Sequence, residues 1–134
     1  MKWNLTLVIM AFIAFASCNK GPGKLSVSPA SISVGTSGGE YEVKSEAFSH
    51  VTVRIPASGE FSTSTAYEGD SKERYSLSVD WVSVWYESST GTFPTVLHVE
   101  VAENTTGEKR SAEVCVYGAN LEDSGTIRIT QKNK

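Results

Sequence analysis

From Leu25 to Gln131 the apolar residues recur at every second position. A period of two sends alternate side chains to opposite faces of a strand, so the pattern predicts half-buried β-strands and no long amphipathic helix. Leu25 and Val27 alternate with serines, Pro29 interrupts, and Ile32 and Val34 resume the alternation. A proline between two short strands fits a sheet edge, where no ladder N–H is missed. Gly35-Thr36-Ser37-Gly38-Gly39 reads as a turn, and the next strand carries Tyr41 and Val43. Val51, Val53 and Ile55 share a face of a further strand that Pro56 ends. Residues 61–67 and 74–79 flank Glu68-Gly69-Asp70-Ser71, a turn signal, so these two stretches are expected to pair as a hairpin. The strand that follows places Trp81, Ser83 and Trp85 on one face and Val82, Val84 and Tyr86 on the other. Leu97, Val99 and Val101 mark another strand, and Ala112, Val114 and Val116 lie opposite Glu113, Cys115 and Tyr117. Ile127 and Ile129 close the pattern, with Thr126, Arg128 and Thr130 facing the other way. Short strands broken every ten residues or so by Gly, Pro, Asn and Ser predict an all-β sandwich, here of about seven to nine strands.

The alternation is absent before residue 18. Lys2 is followed by the apolar run LTLVIMAFIAF, then Ala16, Ser17 and Cys18. A basic start, a short apolar core and a small-residue site form a secretory signal. The run falls short of the roughly 20 residues that a transmembrane helix needs. Phe15-Ala16-Ser17-Cys18 resembles the lipobox of a bacterial lipoprotein, although Phe is a less usual first residue than Leu. The resemblance implies cleavage before Cys18 and acylation of that cysteine, through diacylglycerol on Sγ and a further chain such as palmitate on the freed amine. Several acyl chains hold firmly to a bilayer, where one binds only marginally. The expected organisation is a signal peptide over 1–17, a lipidated flexible tether over 18–24 and a single domain over 25–132. The partner implied first is the bacterial outer membrane. The tether lacks the acidic residues that surface-exported lipoproteins of this kind often carry, so the periplasmic and the outer face both remain open.

Composition changes the picture in two respects. Twelve basic and fifteen acidic residues give a net charge of −3, and removing Lys2 with the signal takes it to −4. No basic cluster occurs, which argues against nucleic acid as a partner. There are two cysteines. With Cys18 acylated, Cys115 has no partner, so the sandwich must hold by burial and strand pairing alone.

The domain also resembles a known family. Leu25-Ser26-Val27-Ser28, the Gly38-Gly39 turn, Trp81-Val82-Ser83-Val84, the Asn104-Thr105-Thr106 loop, Arg110-Ser111-Ala112 and the closing Ile127-Arg128-Ile129-Thr130-Gln131 follow one another as in the BACON domain, the Bacteroidetes-associated carbohydrate-binding, often N-terminal domain. The resemblance runs over about residues 25–131. It implies an immunoglobulin-like two-sheet sandwich and a non-catalytic module that binds glycan. The alternative it leaves is a structural or protein-interaction subunit of an envelope assembly. The chain departs from the family pattern at Ser45-Glu46-Ala47-Phe48-Ser49-His50, which lacks a Trp, and in a longer stretch from Pro56 to Asp80.

Sugars lay apolar C–H faces on aromatic rings while polar groups fix their hydroxyls. Trp85 and Tyr86 are therefore the first candidate ligand contacts, with Tyr67 and Tyr75 extending the surface from the neighbouring stretch. Phe93 and the loop before it could add to it, because loops at a sandwich end commonly carry recognition. Trp81 is expected to be structural. His50 and His98 are far apart with no carboxylate at ligand spacing, so no metal site is expected. No Ser/His/Asp order, CxxC, HExxH or phosphate loop is present. Glu100, Glu103 and Glu108 form no obvious acid–base pair. The sequence thus predicts no enzyme and no cofactor.

Overall fold

The computed structural model describes residues 24–65, 74–87, 92–120 and 122–133. Cys18, Tyr67 and the lipobox lie outside the described residues. Among those described there are ten strands and no helix. They are β1 (Val27–Ser28), β2 (Ser31–Val34), β3 (Gly39–Ser45), β4 (His50–Ile55), β5 (Glu60–Thr65), β6 (Arg74–Val79), β7 (Val82–Glu87), β8 (Val96–Val101), β9 (Arg110–Tyr117) and β10 (Ser124–Gln131). The count exceeds the expected seven to nine, and the interruption at Pro29 separates β1 from β2 as the sequence pattern indicates.

One sheet has the order β1-β3-β8-β7-β6 and the other β2-β10-β9-β4-β5. The cut at Pro29, where the Ser28–Pro29 peptide is cis, is where the chain changes sheets. β1 pairs antiparallel with β3, while β2 pairs parallel with β10. A first strand shared between two sheets and running parallel to the last strand gives the immunoglobulin-like sandwich its closing seam.

The alternation decides what is inside. Val43, Val51, Val53, Val82, Val84, Leu97, Val99, Val114, Val116, Ile127 and Ile129 are fully buried between the sheets. Each buried aliphatic side chain contributes about 1.5–3 kcal/mol, and this carries a domain with no cross-link. Cys115 is free and half-buried on the outer face of β9, with Thr126 Oγ1 at 3.6 Å from its sulfur.

Two glycines are required by geometry. Gly38 ends the turn before β3 with φ of 84°, and a Cβ there would run into the backbone carbonyl of Val101. Gly125 lets the incoming chain approach β10, since a Cβ would stand 2.8 Å from the Leu25 carbonyl oxygen. Leu25 N–H then donates to Ser124 O at 2.9 Å. The chain thus enters the sandwich at Leu25, where β10 begins.

The far pole, where β10 ends, is built from polar side chains. Asn104 is fully buried. Its Nδ2 donates to Glu108 O at 2.8 Å and Lys132 O at 2.9 Å, while its Oδ1 accepts from Thr106 N–H at 3.0 Å and Thr106 Oγ1 at 2.7 Å. This is the turn expected from Asn104-Thr105-Thr106. Gln131 lies beside it, also buried. Its Nε2 donates to Ala102 O at 2.9 Å, Gly35 O at 3.0 Å and Thr36 O at 3.4 Å, and its Oε1 accepts from Arg110 Nε at 2.8 Å. Buried polar groups belong in a sandwich only when satisfied in this way.

The hairpin expected between residues 61–67 and 74–79 does not form. β5 pairs with β4, from Ile55↔Glu60 to His50↔Thr65, and β6 pairs with β7. The reason lies in the turn after Pro56. Gly59, with φ of 80°, donates its N–H to Ile55 O at 2.8 Å and closes a tight β4–β5 hairpin. Glu68-Gly69-Asp70-Ser71 itself lies outside the described residues, between strands of different sheets. β5 and β6 are consequently edge strands of different sheets on one flank of the sandwich. Phe61, on the outer face of β5, is 67% exposed.

Candidate functional site

The ladder of the first sheet brings an aromatic and charged cluster to its outer face. Trp85 on β7 lies directly opposite His98 on β8 and Ser76 on β6. Arg74 is its diagonal neighbour, at a spacing long side chains can bridge. The Trp85 and His98 rings stack with centroids 3.8 Å apart and planes 7° apart. Arg74 Cζ sits 3.7 Å from the Trp85 ring centroid. Two groups this close to one centroid must occupy opposite faces of the indole. The indole N–H is also engaged, donating to Glu100 Oε2 at 3.2 Å.

Around this stack the face is polar. Ser78 and Ser83 hydroxyls lie 2.9 Å apart, one register row from Trp85. Glu40 is opposite Glu100, and Glu42 is opposite His98. Glu40, Glu42, Glu87 and Glu100 are all exposed, as are Lys44 and Arg74. Among the described residues of this face the carboxylates outnumber the fixed cations. Beside the stack, Glu87, Thr92, Phe93, Pro94, Thr95, Val96 and His98 line an open groove of about 460 Å³. Phe93 is half-buried in it.

Two of the residues assigned to a ligand surface lie elsewhere. Tyr86 is fully buried and Tyr75 is 5% exposed. Both occupy the inward phase of their strands, as Leu77 and Val84 do in the next register row. Their rings stack at 5.1 Å and 6°, and Phe48 meets Tyr86 edge-on at 5.3 Å. Tyr86 OH lies 2.8 Å from Ser64 Oγ. Burial pushes the Tyr86 hydroxyl above its ordinary pKa, and the Ser64 bond offsets part of that rise. A phenol carrying its own internal partner is a core residue, so Tyr86 and Tyr75 are withdrawn as ligand contacts.

Trp81 does not share a face with Trp85. Asp80, with φ of 53°, and Trp81 form the two-residue turn between Val79 and Val82. The turn breaks the alternation and folds the indole inward. Trp81 is 7% exposed, as expected of a structural residue, with Arg110 Cζ 4.4 Å above its ring. Arg110 is held by Gln131 and by the carbonyls of Ala102 and Glu103. Desolvation lowers the Arg110 pKa, and Asp80 nearby partly restores it. The Trp81–Arg110–Gln131 group therefore fixes the pole rather than a ligand.

Of the assigned residues, Trp85 alone is placed on an outer face among those described. Alternation missed its companions Arg74, His98 and Glu100. All three were in the outward phase of their strands, but only the register shows that they meet one indole.

The BACON family model, described as "Putative binding domain, N-terminal", matches residues 64–132, just over half of the chain. The chain belongs to the BACON family. No curated protein matches the sequence. Two solved structures share the BACON fold seen here. A protein from Bacteroides thetaiotaomicron solved by NMR aligns with a TM-score of 0.51 at 18% identity, over 83% of this chain and 88% of that one. A Bacteroides ovatus GH5 xyloglucanase, solved in complex with a XXXG heptasaccharide, aligns with a TM-score of 0.50 at 15% identity. That alignment covers 83% of this chain but only 19% of the xyloglucanase. At such identities both likenesses concern the fold.

Proposed function

We propose that this BACON domain is a non-catalytic glycan-binding module and that Trp85 and its companions form the binding face. The observation that carries this reading is the Trp85–His98 stack on an otherwise hydrophilic sheet, with Glu100 and the Ser78–Ser83 hydroxyl pair within one register row. An aromatic plate edged by carboxylates and hydroxyls suits a pyranose, whose C–H face packs while its hydroxyls donate. The family description as a binding domain and the presence of the same fold within a xyloglucan-degrading enzyme support the reading. Affinity electrophoresis in gels containing xyloglucan, β-glucan, mannan or polygalacturonate tests it. The expected result is retardation by at least one polysaccharide, with Trp85→Ala weakening it about tenfold or more. No retardation by any of the four, or retardation untouched by Trp85→Ala, rejects the assignment.

The second part of the proposal concerns placement. Acylated Cys18 would anchor the module to the bacterial outer membrane. The described chain enters the sandwich at Leu25, where β10 begins, so an anchor at Cys18 would leave the Trp85 face on the flank rather than at the anchored pole. Labelled palmitate is expected to enter the wild-type protein and not Cys18→Ser. Equal labelling of both would exclude the anchor.

A further inference from the structure

The indole that the glycan reading relies on has no free face. His98 covers one side at 3.8 Å and Arg74 the other at 3.7 Å, and Glu100 holds the ring nitrogen. A pyranose can stack on Trp85 only if one of the two covering groups leaves. We infer that Arg74 is a displaceable cap occupying the sugar's place on Trp85, and that the uncapped face selects neutral glycans over anionic ones. The inference rests on the glycan-binding reading and names its ligand class.

The two covers are not equivalent. His98 is half-buried on β8, a strand paired on both sides, and stands directly opposite Trp85 in the ladder. Its ring is short and stiff. Arg74 is exposed and is the first residue of β6, an edge strand. Glu87 faces it across the ladder, yet Arg74 makes no ion pair with any described residue. A single solvent-exposed cation–π contact is weak, and the long arginine side chain regains rotamer freedom on leaving. Arg74 is thus the group that yields.

Charge then sets the ligand class. With Arg74 displaced, Glu40, Glu42, Glu87 and Glu100 remain on the same outer face among the described residues, against Lys44 as the other fixed cation described there. Sugar hydroxyls donate well to carboxylates. A uronate or sulfate brought to the same face meets like charge, at a cost that salt screens only in part.

The test uses Arg74→Ala and Arg74→Gln beside the wild type and Trp85→Ala. Xyloglucan heptasaccharide, cellohexaose, mannohexaose and oligogalacturonate are titrated, and acrylamide quenching of tryptophan fluorescence is read in parallel. Both Arg74 variants are expected to bind a neutral oligosaccharide about two- to fivefold more tightly than the wild type, with no gain for oligogalacturonate. Their tryptophan fluorescence is expected to quench more readily than that of the wild type. Weaker neutral binding in the Arg74 variants, or tighter binding of oligogalacturonate, overturns the cap while Trp85-dependent retention keeps the glycan reading. Binding of no oligosaccharide by any of the four proteins removes the glycan reading and the cap together.

Discussion

Replacing Tyr86 by alanine is expected to lower the stability of the sandwich by about 3–5 kcal/mol, the cost of deleting a large aromatic side chain from a well-packed core. Tyr86 is fully buried, stacked on Tyr75 and met edge-on by Phe48. The three rings come from β6, β7 and the segment before β4, so they tie the two sheets together near the flank where β5 and β6 end the sandwich. The hydroxyl adds a separate contribution. Its partner Ser64 is on β5, whose inward positions are serines rather than aliphatic residues. Tyr86→Phe keeps the rings and loses that bond, at an expected cost of about 1 kcal/mol. Urea unfolding of both variants separates packing from hydrogen bonding. A Tyr86→Ala loss below about 1 kcal/mol would mean that the ring is not part of a close-packed core.

Gln131→Leu is the second substitution with a large expected effect. The two side chains are similar in size, so little packing changes. What changes is that three hydrogen bonds of the buried Gln131 amide are lost: Gly35 O keeps only the Gly38 N–H, Ala102 O keeps only Arg110 Nη2, and Arg110 Nε loses its acceptor. A hydrogen bond to a charged group contributes about 1.5–3 kcal/mol and a neutral one about 1 kcal/mol, so losing these together is expected to lower stability by about 3 kcal/mol. Freed Arg110 also leaves Trp81 less firmly covered. Gln131→Glu is an informative contrast. It restores an acceptor for Arg110 but turns a second acceptor toward the carbonyls of Gly35, Thr36 and Ala102. It should therefore rescue only part of the loss in thermal unfolding. Full rescue would show that the arginine contact alone holds the pole.

These two residues show how unevenly the sequence can be read. Tyr86 shares its phase with Val82 and Val84, so its burial follows from alternation once those valines are taken as core. Its assignment as a ligand contact rested on residue type and proximity to Trp85, and packing overruled it. Tyr75 failed for the same reason. Gln131 carried a signal of another kind: a long polar residue in phase with Ile127 and Ile129 must find partners inside or point out. Its partners come from the segment before β3, the segment after β8 and the start of β9, which no local pattern brings together.

Pairing was the other point at which local reading failed. Glu68-Gly69-Asp70-Ser71 has the composition of a hairpin turn, and Pro56-Ala57-Ser58-Gly59 less so, yet the second stretch makes the hairpin. Turn propensity says where a chain can reverse. Which strands then pair depends on where each can bury its inward face, a property of both sheets together.

The sequence by itself determined the strand character of the domain, the inward phase of nearly every strand and the outward position of Trp85, because the side-chain period of two is a local property of extended backbone. It also carried the order of motifs that marks the BACON family. Only the tertiary structure decided that Arg74, Trp85, His98 and Glu100 meet, and that Trp81 turns inward while Trp85 does not. Register and turn conformation set those neighbours, and both are fixed when two sheets close on one core rather than within any single strand.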